Sequence, residues 1–466
     1  MSDLRTSENL ATMPASPQRM SPLGLAAISF GFFMVLLDAS VVNVALPAMQ
    51  HELQGSIEGL QWVVNSYTLV FASLILSAGA LGDRLGHRRI FLWGFLIFTG
   101  ASLLCSFASS LAFLIVARVL QGIGPALLVP SSLSLILHGF DDPKERAHAI
   151  GIWGGSSSIG LACGPVIGGI LVGTLGWRSI FLLNVPIGIL AIVLVLRTVS
   201  ETRQNTNRGV DPTGQLLAVI ALATLTYALI QGRQQGWNTL PILTVLAVFV
   251  IALGLFLAVE RRQVTPMLPL RFFSSSIFST ATIVGMIVNF GLYGTLFVLS
   301  LFFQDVTHYS AALTGIVFLP LTVAVALNAL FSGRATARFG ARWPMIIGLA
   351  TACLGAFLLI PVEQGLFLYI GESLVGLGCG MTVPAMTATL LAAAPKELSG
   401  VASATLNASR QIGGVIGVAV LGALLGPVTD SSSVTAGIHV ALGLVAVLFF
   451  TASLLSLLFI SPERAH

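Results

Sequence analysis

An aspartate inside a long apolar run is the side chain here best placed to do chemistry. Asp38 sits in Leu36-Leu37-Asp38-Ala39-Ser40-Val41-Val42-Asn43-Val44-Ala45-Leu46-Pro47. An ionisable residue in hydrocarbon costs at least about 2.5 kcal/mol on the insertion scale, so its presence implies a use. Desolvation favours the neutral form of a carboxyl, and a cation within about 4–6 Å favours the charged form. An acid pulled both ways as its surroundings alternate can take up and release a proton, and Asp38 is read as such a site. A permanent ion pair, or a helix-packing hydrogen bond to a nearby Ser or Asn, is the other reading. Three more charges fall in apolar stretches: Arg118, Glu372 and Arg410. A guanidinium stays charged at any physiological pH, so Arg118 cannot itself carry the proton. Snorkelling to the outer interface is its plainer reading.

The elements that must position these residues are membrane helices. Hydrophobic residues make up 56% and charged residues 9% of the 466, against roughly 25% charged in soluble domains. Scanning for runs of about 20 apolar residues gives fourteen spans, from 22–47 to 436–460. An even number puts both termini on one side. Cytoplasmic loops carry the excess of Lys and Arg. Of the 22 such residues, only Arg178 and Arg233 fall in the loops opposite the termini, while Arg118 and Arg410 fall inside spans. Cytoplasmic termini follow. The same bias accounts for the net charge of +4 without nucleic acid as a partner. Residues 1–21 lack the pattern of a signal peptide and are expected to be a disordered cytoplasmic tail. Cys105, Cys163, Cys353 and Cys379 lack metal-ligand spacing and read as small packing residues.

A repeat organises the chain. Displaced by 254 residues, Gly79-Ala80-Leu81-Gly82-Asp83-Arg84-Leu85-Gly86-His87-Arg88 falls on Gly333-Arg334-Ala335-Thr336-Ala337-Arg338-Phe339-Gly340-Ala341-Arg342. Leu120, Gly122, Gly124, Val129 and Pro130 fall likewise on Leu374, Gly376, Gly378, Val383 and Pro384. Two halves in the same orientation are the pattern of transporters that rock about a site near the midplane. The expected domains are a six-helix bundle over 22–196, two linker helices with polar loops over 197–275, and a second six-helix bundle over 276–466. The repeat is asymmetric in its charges: Asp38 aligns with Leu292, Arg118 with Glu372, and Asp83 with Ala337.

Five motifs, in order, resemble the fourteen-helix drug:proton antiporters of the major facilitator superfamily. Leu37 to Pro47 resembles the first-helix motif of that branch, and Gly79 to Arg89 the loop signature between helices two and three. Arg118-Val119-Leu120-Gln121-Gly122-Ile123-Gly124 is similar to the fourth-helix motif. Gly160-Leu161-Ala162-Cys163-Gly164-Pro165-Val166-Ile167-Gly168-Gly169 looks like the fifth-helix antiporter motif, and Trp177 to Pro186 the branch's start of helix six. Ser40 stands where Thr is usual, His87 where Arg or Lys is usual, and Pro125 where a small residue is expected.

The resemblance implies an all-α integral membrane protein of the major facilitator fold, with 14 transmembrane helices as 6 + 2 + 6. It implies that Arg118 biases an acid on helix one or holds a water chain, making Asp38 and Arg118 the proton-coupling pair. Gly79, Asp83, Arg84, Gly86 and Arg88 are expected to form a cytoplasmic gate, with Asp83 pairing the basic residues around it. Gly160, Gly164, Pro165, Gly168 and Gly169 are expected to make a flexible seam against the second half, or plain close packing. Asn43, Tyr67, Gln121, Asn289, Glu372 and Arg410 are assigned to the substrate cavity. Glu372 is either a contact for a cationic substrate or a solvated vestibule residue. The function so implied is proton-coupled export of small lipophilic or cationic compounds, including antibiotics, by a monomer in a bacterial cytoplasmic membrane. Export of one specific metabolite, or proton symport, is the alternative. No metal, nucleotide or nucleophile constellation appears, so neither a cofactor nor an enzymatic activity is expected.

Overall fold

The computed structural model describes residues 20–140, 142–201, 211–263, 266–361, 365–395, 398–425 and 431–460. The tail expected at 1–21 thus lies outside the described residues except for Met20 and Ser21. Every regular element among them is helical. The first group comprises α1 (Pro22–Leu53), α2 (Ile57–Leu85), α3 (His87–Ser106), α4 (Leu111–Gly139), α5 (Pro143–Leu175) and α6 (Arg178–Thr198). Then come α7 (Pro212–Gln235) and α8 (Leu240–Arg262). The last group is α9 (Ser276–Leu301), α10 (Ala311–Val317), α11 (Leu319–Phe339), α12 (Arg342–Leu358), α13 (Leu366–Ala392), α14 (Ser399–Leu424) and α15 (Ser431–Phe459).

Backbone groups in hydrocarbon must be satisfied within their own segment, which is why these apolar runs are helices. Short polar residues mark several of their starts. Ser21, Ser56 and Ser110 accept from the amides of Gly24, Gly59 and Phe113, relieving first-turn donors of α1, α2 and α4. Between α2 and α3 the chain turns at Gly86, whose φ of +96° suits glycine. Among the described residues eleven helices are long and apolar enough to cross a membrane, or twelve if the pair α10 and α11, bent by 40°, is one span. Two of the expected fourteen fall short of that test. α12 has only 17 residues, and the 26-residue α14 is diluted by Ser, Asn, Arg410 and Gln411.

The packing repeats as the sequence does. In the first group α1 lies on α5 and α6, α4 on α2 and α3, and α3 on α6. In the last group α9 lies on α14 and α15, α13 on α11 and α12, and α12 on α15. Small residues set the closest approaches. A Cβ at Gly160 would run into the carbonyl oxygen of Phe33, at Gly164 into Ser40, and at Gly168 against Val41. This glycine face therefore seats α1, in its own group. Of the five residues expected to form the seam, Gly169 and Pro165 meet the other group, at Ala311 and Gly315, while Gly160, Gly164 and Gly168 lie closest to α1.

Because a side chain at Gly160 would meet backbone, Gly160→Leu is expected to lower stability by about 1–3 kcal/mol. Thermal unfolding of the detergent-solubilised protein reads this.

Candidate functional site

Asp38 lies near the middle of α1 and is 0% exposed. Three donors converge on its carboxylate. Arg118 Nη1 from α4 donates to Oδ2 at 2.6 Å. Gln121 Nε2, one turn further along α4, and Asn184 Nδ2 from α6 both donate to Oδ1 at 2.9 Å. Ser102 of α3 accepts from Gln121 Nε2 at 2.9 Å and passes its own proton to the Phe98 carbonyl at 2.7 Å. The guanidinium is held equally firmly. Its Nε donates to the Val63 carbonyl of α2 at 3.1 Å, and its Nη1 also reaches Gln121 Oε1 at 2.7 Å. The Tyr67 ring lies 4.2 Å beneath its Cζ, a cation–π contact that desolvation strengthens.

Five helices thus supply one buried polar cluster. Arg118 is 1% exposed, so it does not snorkel to an interface. Sequence reasoning missed Asn184 and Ser102. Asn184 sits in the quoted helix-six motif, and its one signal was an amide in an apolar span.

At one end of the same helices, Trp177 Nε1 donates to Glu52 at 2.7 Å and Arg178 ion-pairs with that carboxylate. Arg178 also donates to the Ala108 carbonyl at 2.8 Å. Glu52 thereby ties α1, the turn before α4, and the start of α6, fixing the helices that bear the cluster.

A narrow cavity adjoins the cluster, bounded by α1, α2, α9 and α14. Arg118 and Tyr67 line it, whereas Asp38 lies behind them. Opposite stand Tyr293 and Gln411, which the sequence reading did not assign. Of its six cavity residues, only Tyr67 lines this space. Gln121 belongs to the cluster, and Asn43 donates to the Ala39 carbonyl at 3.0 Å. Arg410 Nε donates to Asn289 Oδ1 at 3.4 Å in the other group. Glu372 is 0% exposed and neither carboxylate oxygen has a hydrogen-bond partner among the described residues, so it is not a solvated vestibule residue.

The two groups of helices are joined at the end of the bundle opposite the basic loops. There Gln61 donates to the Val418 and Ala419 carbonyls, both at 2.9 Å. Ser300 donates to the Asn43 carbonyl at 2.5 Å, and Gln304 to that of Val44 at 3.0 Å. At the basic end they part around a cleft of about 1030 Å³, lined among others by Gly79, Asp83, Asp211 and Asn407.

Here His87 has a structural reason. Its Nε2 lies 3.0 Å from Asp83 Oδ1, and the ring fits because Gly82 has no Cβ to meet it. Glu201, not Asp83, receives the amides of Arg88 at 2.9 Å and Arg89 at 3.2 Å, capping the start of α3. Arg88 Nη2 donates to the Leu196 carbonyl at 2.9 Å, and Arg84 is exposed. Glu201 was outside the expected gate, with no motif to mark it.

Comparison with known proteins gives a consistent picture. The Major Facilitator Superfamily matches this chain over residues 28–418 and 281–466. A methylenomycin A resistance protein of Bacillus subtilis is 40% identical over 405 residues, covering 86% of this chain and 87% of that one. The multidrug resistance protein Stp of Mycobacterium tuberculosis is 40% identical over 409 residues, covering 87% and 76%. A tetracenomycin C resistance and export protein of Streptomyces glaucescens is 36% identical over 421 residues, covering 89% and 78%. Among solved structures, a POT family transporter in complex with a thioalcohol-conjugated peptide superposes with a TM-score of 0.71 at 16% identity, covering 94% and 96%. That likeness concerns the fold alone.

Removing one partner of a buried ion pair leaves an uncompensated charge, at a cost of about 3–5 kcal/mol. Arg118→Leu is expected to destabilise by that order, and Asp38→Asn in the same chain to recover most of it. A double-mutant cycle on thermal unfolding measures the coupling.

Proposed function

We propose, from the premise that the chain belongs to the Major Facilitator Superfamily, that it exports small lipophilic or cationic compounds, antibiotics among them, in exchange for protons. Members of this superfamily are multi-pass carriers of small molecules, so the chain is a transporter and not an enzyme. Drug export is supported by relatives named for resistance to methylenomycin A, to multiple drugs and to tetracenomycin C. A bacterial cytoplasmic membrane is the matching location. Taking α12 and α14 as spans would bring the twelve to fourteen, arranged six plus two plus six over 22–196, 197–275 and 276–466. The repeated packing pairs support that division. The basic loops support cytoplasmic termini, and on that orientation the 1030 Å³ cleft opens to the cytoplasm. We take the working unit to be a monomer, without nucleic acid as a partner.

One observation carries the proton reading: Asp38 is sealed from solvent behind Arg118, and Arg118 alone of that pair faces the cavity. Protonation of Asp38 at Oδ2 would end the charge-assisted bond to Arg118 Nη1 and free the guanidinium to face the cavity. Loss of that proton would draw it back. Cargo arriving beside Tyr67 and Arg118 would then compete with the proton through a shared guanidinium, which is the coupling an antiporter needs. Each proton moving inward down 100 mV supplies about 2.3 kcal/mol. The mainly apolar cavity walls suit lipophilic cargo, with Tyr67, Tyr293 and Gln411 available for orientation. Asp83 and Asp211 on the larger cleft suit cations arriving from the cytoplasm.

In proteoliposomes screened with a panel of antibiotics and dyes, an exported compound is expected to release protons on binding. Asp38→Asn, which also leaves Arg118 without its counter-charge and so lowers stability, should abolish both this release and accumulation driven by a pH gradient in protein that thermal unfolding shows is still folded. Proton-driven accumulation by that variant would refute the assignment.

A further inference from the structure

The two helices outside the repeat wall off a second pocket. It lies between α7 and α8 on one side and α2, α9 and α14 on the other, partly open to the surroundings, with Met267, Leu268 and Phe273 of the connection to α9 at its edge. Phe249, Leu253 and Phe256 of α8 face it, while Val250 and Ile251 on the same helix are more than 60% exposed. In a membrane that outer face of α8 would meet lipid.

The hydroxyls of the lining direct their protons to backbone carbonyls. Ser73 donates to the Leu69 carbonyl at 2.7 Å, and Thr282 to that of Phe278 at 2.8 Å. Thr405 donates to the Val401 carbonyl at 2.8 Å, and Ser409 to that of Leu406 at 2.9 Å. Ser409 also reaches the Thr282 carbonyl of α9 at 3.4 Å, and with each hydroxyl proton already engaged the space favours an apolar occupant. The pocket also borders the 1030 Å³ cleft, since Leu76 and Met267 line both. Ser77 Oγ donates to Met267 Sδ at 3.1 Å. An unbranched thioether on a non-helical connection is an adaptable partition, and beyond it stand Asp83, Asp211 and Asn407.

We propose that this pocket receives lipophilic cargo from the bilayer, and that Met267 is the partition it passes to reach the central cleft. This gives α7 and α8 a task, and it rests on the export reading above. Continuity with the cleft favours cargo over a resident lipid chain, because a permanent acyl chain would obstruct the passage at Met267.

The test uses the full-length protein in proteoliposomes, with Phe249→Trp as reporter and 1-bromonaphthalene as quencher. Quenching at this position, over the wild-type background, is expected to saturate and to be displaced by Nile red. Adding Ala221→Phe to fill the pocket should weaken it about tenfold. Nile red efflux should slow several-fold in Ala221→Phe and quicken in Met267→Ala, a change at a connection that spares the helix packing. Vesicles with brominated acyl chains that quench the reporter without displacement by Nile red would make the pocket a lipid seat and overturn the proposal. So would unchanged Nile red efflux in both variants. Saturable, displaceable quenching at the Phe249→Trp reporter, with no dye export by either that variant or the wild-type protein, would instead refute the export reading and leave the binding site standing.

Discussion

Two opposite charges placed where solvent cannot reach them must be satisfied by each other and by their neighbours, and the first helix group is arranged around that demand. The Asp38–Arg118 contact at 2.6 Å needs α1 and α4 at one height and rotation. The remaining lone pairs of the carboxylate call on Gln121 and Asn184, and the remaining guanidinium donors on Val63 and Gln121. A buried ion pair gains stability only when its other hydrogen-bonding positions are filled. Here α2, α4 and α6 fill them, with Ser102 of α3 holding Gln121 in place. The glycine face of α5 completes the arrangement from behind, because only a residue without a Cβ at Gly164 lets α1 lie where Ser40 and Asp38 are found.

The second helix group shares the packing and not the chemistry. Leu292 stands at the position of Asp38, and Glu372 at that of Arg118. Glu372 keeps both oxygens unpartnered among the described residues, and Arg410 has only a long bond to Asn289. What this group brings to the central cavity is Tyr293 and Gln411, groups that can orient a ligand without titrating against it. Duplicated architecture with chemistry on one side gives an asymmetric machine. Under the proposed exchange, one half would hold the charge that responds and the other a surface against which it moves.

Contacts between the groups are distributed to match. Side-chain amides and hydroxyls clasp backbone carbonyls at the end away from the basic loops, while the other end stands open. These bonds are neutral and directional, and they lie within an apolar contact between the groups that includes Val64, Leu161, Leu296 and Val418. α7 lies across the seam, against α2 and α14 at once, and with α8 it encloses the apolar pocket. The helices that break the repeat are therefore placed where the two groups meet.

Composition and the length of apolar runs determined that this chain forms membrane helices, because backbone polarity in lipid leaves few other solutions. The charge bias of the loops and the ungapped repeat were equally local facts, and Asp38 and Arg118 stood out simply as charges in hydrocarbon. Tertiary structure alone decided what those charges touch. The partners of Asp38 lie 80, 83 and 146 residues away, and a helix apolar on every side carries no stripe to tell which face turns inward. For the same reason the glycine face of α5 had two possible partners in the sequence and one in the fold. Glu201 and Tyr293 were similarly silent, and His87 and Asn184 stood in motifs without a role. A polar side chain acquires its role from what stands within about 3 Å of it, and in a bundle of long helices that is settled by rotation and close approach, which residue type and spacing do not record.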